Sequence, residues 1–190
     1  MAEIEASSIP QTKKFVLAEL EHCVHQISDD QIHAAAQQMA AAPRIFFAGA
    51  GRSGLALKMG AMRMMHLGVS AYVAGEIVTP AIQQGDLLVV ASGSGTTAGA
   101  LQAAHTARQV DAHILLLTTA PESPLGQQAD LLIKIPAASK QQFGERVSQQ
   151  YAGALFEQSV VLVMDILFHH LWNQRGETQQ ELWKRHANLE

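Results

Sequence analysis

Residues 44–54 read Arg44-Ile45-Phe46-Phe47-Ala48-Gly49-Ala50-Gly51-Arg52-Ser53-Gly54, and this stretch decides the fold. A short apolar run without polar alternation is a strand buried on both faces. The glycines after it let the backbone approach an anion closely, and the helix that follows aims free N–H groups at that anion. The texture repeats outward along the chain. Residues 69–74 (VSAYVA), 86–91 (DLLVVA), 113–118 (HILLLT) and 131–135 (LLIKI) are further short apolar runs. Helical patterns over 53–67, 96–109 and 123–129 separate them. This alternation predicts a three-layer α/β/α fold around a five-stranded parallel sheet.

Both flanks read as helical. Phe15, Val16, Leu20, Val24 and Ile27 recur at helical spacing, and Ser28-Asp29-Asp30 offers N-cap oxygens for a second helix over 31–41, ended by Pro43. Beyond the last strand, 136–147 is a polar loop containing Gly144. A long helix over 148–174, closed by Gly176, and a short polar helix over 177–187 complete the pattern. The expectation is one domain over 1–190: N-terminal helices to 42, a parallel core over 43–135, and C-terminal helices from 148.

Composition narrows the function classes. The chain has 190 residues, 48% apolar and 16% charged, against roughly 25% charged in a typical soluble domain. This excludes a disordered or coiled-coil protein and predicts a surface partly covered by partner chains. Seventeen acidic and thirteen basic residues leave a net charge of −4, so no nucleic acid is held by charge alone. The sole cysteine, Cys23, forms no internal disulfide, which points to a reducing compartment, the cytoplasm. Residues 1–14 lack the basic and apolar segments of a secretory signal. The apolar stretch 155–172 carries Glu157, Asp165, His169 and His170 and reads as a buried helix, with no membrane partner expected.

Two loops carry chemistry. Gly49 to Gly54 is formally G-x-G-x-x-G, and with Glu76 further on it imitates a dinucleotide fingerprint. The second loop, Ser92-Gly93-Ser94-Gly95-Thr96-Thr97, places four hydroxyls and two glycines before a helix. Hydroxyls and helix N–H groups together suit the terminal oxygens of a phosphate monoester; turn-making by Ser92 and Ser94 with Thr96 as a helix cap is the alternative. In a sheet of order 2-1-3-4-5, both loops flank one crevice, at the carboxyl ends of the first and third strands. A dinucleotide uses only the first loop; a sugar phosphate uses both. Arg52 and Lys58 add positive charge.

These residues resemble the sugar isomerase (SIS) domain family. More narrowly, AGAGRSGLALKMGAMRMMHLGVSAYVAGEIVTPAI (48–82), the Ser94 loop, AGALFEQSVVLVMD (152–165) and RHANLE (185–190) resemble the 6-phospho-3-hexuloisomerases. The resemblance implies interconversion of 3-hexulose 6-phosphate and fructose 6-phosphate, in a tetramer needing no metal. It assigns Ser53, Ser92, Ser94 and Thr97 to the phosphate, with Gly51, Arg52, Gly93, Gly95 and Thr96 in the same loops. It assigns Glu157 the role of base. Other SIS isomerases, of the arabinose 5-phosphate or sedoheptulose 7-phosphate type, and a non-enzymatic phosphosugar sensor remain alternatives.

Moving a ketone between adjacent carbons requires a base, an enediol and an acid at the oxygens, and no redox cofactor. Glu157 stands among Ala154, Leu155, Phe156 and Val160, so it is paired, functional or at the mouth of its helix. Glu76 is a second candidate, for substrate hydroxyls or as base. His66 and His186 are the candidate acids. A helix from the first loop places His66 about 20 Å from the cleft, so it reaches only a neighbour's site; His186 lies on a tail able to cross a subunit boundary. His22, His25, His169 and His170 lack a metal-ligand set.

Overall fold

A computed structural model describes residues 8–138 and 148–189. The chain runs α1 (Ile9–His25), α2 (Asp29–Ala41), β1 (Ile45–Gly49), α3 (Gly51–His66), β2 (Ala71–Val73), β3 (Leu87–Ala91), α4 (Ala98–Gln109), β4 (His113–Thr118), β5 (Leu131–Lys134), α5 (Ala154–Arg175) and α6 (Gln179–Trp183). All five strands are parallel, in the order β2-β1-β3-β4-β5. The expected sheet is therefore present. The order reverses at β1 and β3, which pair from Ile45↔Leu87 to Gly49↔Ala91, so a crevice opens beyond Gly49 and Ala91.

Strand alternation divides the core in two. Ile45, Phe47, Leu87, Val89, Leu115 and Leu117 face α2, α3 and α5, whereas Phe46, Ala48, Leu88, Val90, Ile114 and Leu116 face α4. At the opposite end of the sheet, Arg44 Nε donates to buried Asp86 at 2.9 Å, and Gln83 N–H donates to the same carboxylate at 2.7 Å. That pairing fixes the starts of β1 and β3 together, which sets the register of the two loops at their far ends.

Several expected elements differ. Residues 123–129 form a 3-10 turn at Gly126–Gln128 instead of a helix. Pro124 interrupts the run, and Gly126 turns so tightly that a Cβ there would lie 1.7 Å from Pro121 O. The long helix begins at 154 instead of 148, because Ala152 (φ 46°) and Gly153 (φ 79°) are both left-handed. α6 is shorter than expected at both ends. The second strand shrinks to three residues because it is an edge, paired only with β1. Most of the 136–147 loop, Gly144 included, lies outside the described residues, as does Glu190 of RHANLE.

α5 is long and apolar enough to cross a membrane by length and composition. Its apolarity has another use here: Leu155, Phe156, Val160, Val163, Met164, Leu167 and Leu171 are buried in this chain's own core. The apolar stripe left in the open lies on α3, where Leu55, Met59 and Met62 follow one another at four- and three-residue spacing.

Candidate active site

Six α-helices begin among the described residues, and their N-termini fall into two kinds. α1, α2 and α6 are capped by Ser8, Ser28 and Thr178, whose side chains accept from the backbone three residues on. α3, α4 and α5 begin at Ala50, Thr97 and Gly153 with no side-chain cap hydrogen bond. These three starts meet at one cavity of about 310 Å³. The donors that a cap would engage are left to whatever enters it.

Ala50, Gly51 and Ser53 form one lip of the cavity, and Ser92, Gly93, Ser94, Thr96 and Thr97 the other, with Ala91, Ala138, Gly153 and Phe156 completing it. The second-loop hydroxyls are paired: Ser92 Oγ with Thr97 Oγ1, and Ser94 Oγ with Thr96 Oγ1, both at 2.9 Å. A hydroxyl with one such bond still has capacity for an anion. Thr96 does not cap α4; the N-cap residue is Thr97, and its hydroxyl faces Ser92.

Glycine has a steric role at two places. Gly54 crosses Gly49 so closely that a Cβ would sit 2.6 Å from Gly49 O, which lets α3 start directly above β1. Gly95 is left-handed (φ 64°), and a Cβ there would lie 1.8 Å from Ser123 Oγ. Gly95 is absent from the cavity wall: it shapes the loop, and its neighbours line the cavity.

Arg52 and Glu157 come together elsewhere. Arg52 Nε lies 2.5 Å from Glu157 Oε2, with the glutamate side chain 5% exposed and the arginine 64% exposed. The pair occupies a groove between α3 and α5, with Leu55, Met59 and Gln158. Consecutive helical residues point about 100° apart. Phe156 therefore closes the cavity of the two loops while Glu157 faces α3 next door. Glu76 stands on a third side, beyond β2, where it meets Lys58 Nζ at 2.5 Å. The lysine expected to add charge at the loops is engaged there.

The histidines lie far off within one chain. α3 rises about 22 Å from Gly51 to His66. There His66 stacks on His186 (ring centroids 4.9 Å), which stacks in turn on Trp183 (4.7 Å). His66 is buried, its Nε2 without a hydrogen-bond partner among the described residues, and its pKa is lowered by desolvation and by His186, Arg63 and Arg185 nearby. Arg185 Nε donates to His66 O at 2.6 Å and its guanidinium also pairs with Glu177, fastening the C-terminal segment to the end of α3. The two candidate acids are thus one cluster, which their sequence separation did not show.

Sequence reasoning missed Ala50, Ala91, Ala138, Gly153 and Phe156 in the cavity wall. The signal for Phe156 was its place beside Glu157 in a first helical turn, where one of two neighbours must face the helix's own N-terminal crevice. Among the described residues, no group of three His, Cys, Asp or Glu could hold a metal ion.

The SIS domain matches residues 38–161. The 3-hexulose-6-phosphate isomerase of Mycobacterium gastri is 45% identical over 188 residues, 99% of this chain and 94% of that protein. The 3-hexulose-6-phosphate isomerase of Bacillus subtilis is 39% identical over 176 residues, 92% of this chain and 95% of that one. A solved Methanococcus jannaschii protein, whose structure was used to infer a function of 3-hexulose-6-phosphate isomerase, superposes with a TM-score of 0.80 at 26% identity, covering 95% of this chain and 99% of the other. With the sheet order, the two glycine-and-hydroxyl loops and these likenesses together, the chain belongs to the SIS domain family.

Proposed function

We propose that this protein is a 3-hexulose-6-phosphate isomerase. It interconverts D-arabino-hex-3-ulose 6-phosphate and fructose 6-phosphate, the second step of formaldehyde fixation by the ribulose monophosphate route. The observation that carries the reading is the convergence of two hydroxyl-bearing loops and three uncapped helix starts on one cavity. That is a grip for one phosphate, and the near full-length likeness to named isomerases supports the chemistry.

Ser53, Ser92, Ser94 and Thr97 hold the phosphate. Carbon 2 lies four carbons from the phosphorylated carbon 6, about 5 Å in an extended chain. A base for that carbon belongs beside the phosphate grip instead of in its wall, which is where Glu157 stands. Glu157 removes the proton from carbon 2, the enediol forms, and the proton returns to carbon 3. Electrons are conserved throughout, so the reaction needs no cofactor. With carbon 6 phosphorylated, a carbon-3 ketone closes no five- or six-membered ring, and the hexulose enters open-chain. Glu76 serves the substrate hydroxyls.

His186 or His66 supplies the acid at the oxygens from a second copy, since α3 separates both from their own cavity. The molecule is accordingly a homo-oligomer; the resemblance implies a tetramer, and the single cysteine points to the cytoplasm. The exposed Leu55, Met59 and Met62 stripe supports association. Assaying the purified chain with hexulose 6-phosphate, arabinose 5-phosphate and sedoheptulose 7-phosphate tests the assignment. Fructose 6-phosphate should form from the first alone. Turnover of arabinose 5-phosphate instead, or binding without turnover of any of the three, overturns it.

A further inference from the structure

We propose that Glu19, on α1, is a positioning residue for the isomerase: its carboxylate tethers the 148–150 segment and so fixes the start of α5, which closes the cavity and carries Glu157. The proposal rests on the isomerase reading above.

Glu19 accepts three hydrogen bonds from residues about 130 positions away. Gln149 N–H donates to Oε1 at 2.8 Å, and Ser148 Oγ and Gln150 Nε2 donate to Oε2 at 2.8 and 3.1 Å. Ser148 Oγ also accepts from Gln150 N–H at 3.0 Å, which turns the segment on itself. The tether then passes to the helix, where Gln158 Nε2 donates to Gln150 Oε1 at 3.0 Å. Gln158 is the immediate neighbour of Glu157. A chain of polar contacts therefore runs from α1 to the first turn of α5.

Two features make this a matter of position. Ala152 and Gly153, between the tether and the helix, are both left-handed. A non-glycine residue in that region persists only where its surroundings hold it. In addition, α5 lacks a side-chain cap. A cap would fix the helix start from the front, where Gly153 and Phe156 face the cavity. Glu19 holds it from behind and leaves the front to the ligand. A carboxylate offers acceptor capacity on both oxygens, enough for all three donors; an amide in its place turns an N–H toward one of them.

The test compares wild type with Glu19→Gln and Glu19→Ala. Four quantities are read: kcat, the inhibition constant of inorganic phosphate, the thermal midpoint, and hydrogen exchange at the Gln149 amide. Phosphate rests mainly on the β1 and β3 loops, so its inhibition constant should change less than about threefold. Misplacing the base should lower kcat by about 10- to 100-fold, with faster Gln149 exchange and a lower thermal midpoint. A kcat within twofold of wild type overturns the proposal. So does a parallel loss of kcat, phosphate affinity and thermal midpoint, which marks plain destabilisation. A wild type inert toward hexulose 6-phosphate overturns the isomerase reading and this proposal with it, whereas an active wild type with unaffected variants overturns this proposal alone.

Discussion

Replacing Ser94 by alanine removes one hydroxyl from the proposed phosphate grip and little else. Ser94 is exposed at the tip of the second loop, where among the described residues its hydroxyl bonds to Thr96, at 2.9 Å to Oγ1 and 3.3 Å to the backbone N–H. The folded state should therefore lose less than about 0.5 kcal/mol. The anion loses more, because a hydrogen bond to a charged group contributes roughly 1.5–3 kcal/mol. That corresponds to about 13- to 160-fold in affinity. A hydroxyl that grips the phosphate would do so equally in substrate and transition state, so the loss should appear in KM, with kcat within about threefold. The assay is initial-rate kinetics with inorganic phosphate as competitive inhibitor; its inhibition constant should rise with KM. Ser53→Ala, on the opposite lip, should do the same, and the double variant should depart from additivity by at least about 0.5 kcal/mol, because the two hydroxyls share one ligand. If KM and phosphate inhibition stay within twofold in Ser94→Ala, or the two losses add without coupling, the loops do not grip the same anion.

Glu157→Gln keeps the shape of the side chain and removes its basicity: kcat should fall by about 10²- to 10⁴-fold while phosphosugar binding by calorimetry persists, and unchanged turnover removes the residue from the mechanism. Gly95→Ala places a side chain on left-handed backbone against Ser123 and should cost about 1–3 kcal/mol in urea unfolding; an unchanged midpoint contradicts the loop geometry. His66 has a lowered pKa in the folded chain, mainly from desolvation. Below about pH 6.5 the unfolded chain therefore takes up a proton that the native chain refuses, and stability falls with falling pH until the native value is reached. Between pH 7.5 and 5.5 the melting midpoint of wild type should drop more than that of His66→Gln; equal drops would mean His66 is not responsible.

Much of the architecture was legible because it rests on local pattern. Runs such as Asp86 to Ala91 announce strands buried on both faces, and glycines beside hydroxyls announce loops that must come close to something anionic. The boundaries that failed did so for local reasons of another kind: positive φ at Ala152 and the tight crossing of Gly126 on Pro121 leave no mark in hydrophobic periodicity. The meeting of the two loops at one cavity was legible in the sequence, and the pairing of the charged residues around it was not. Arg52 was placed with the phosphate because it is in the loop, yet its side chain leaves the loop to meet Glu157 across a helix interface. Lys58 and Glu76, eighteen residues apart, neutralise one another for the same reason. The meeting of His66 with His186 and the hold of Glu19 on residue 148–150 depend on contacts across more than a hundred residues. Spacing in a single sequence carries no record of such pairs; they follow only once the sheet order has brought α1, α3 and α5 to one face.

The central claim is that the loops after β1 and β3 close on a single phosphate, and a crystal structure of the protein with fructose 6-phosphate tests it most directly. The phosphate should lie in the cavity where α3, α4 and α5 begin, within hydrogen-bond distance of both Ser53 and Ser94, with the sugar carbons running toward Glu157. A phosphate bound by one loop alone, or seated outside that cavity, would contradict it.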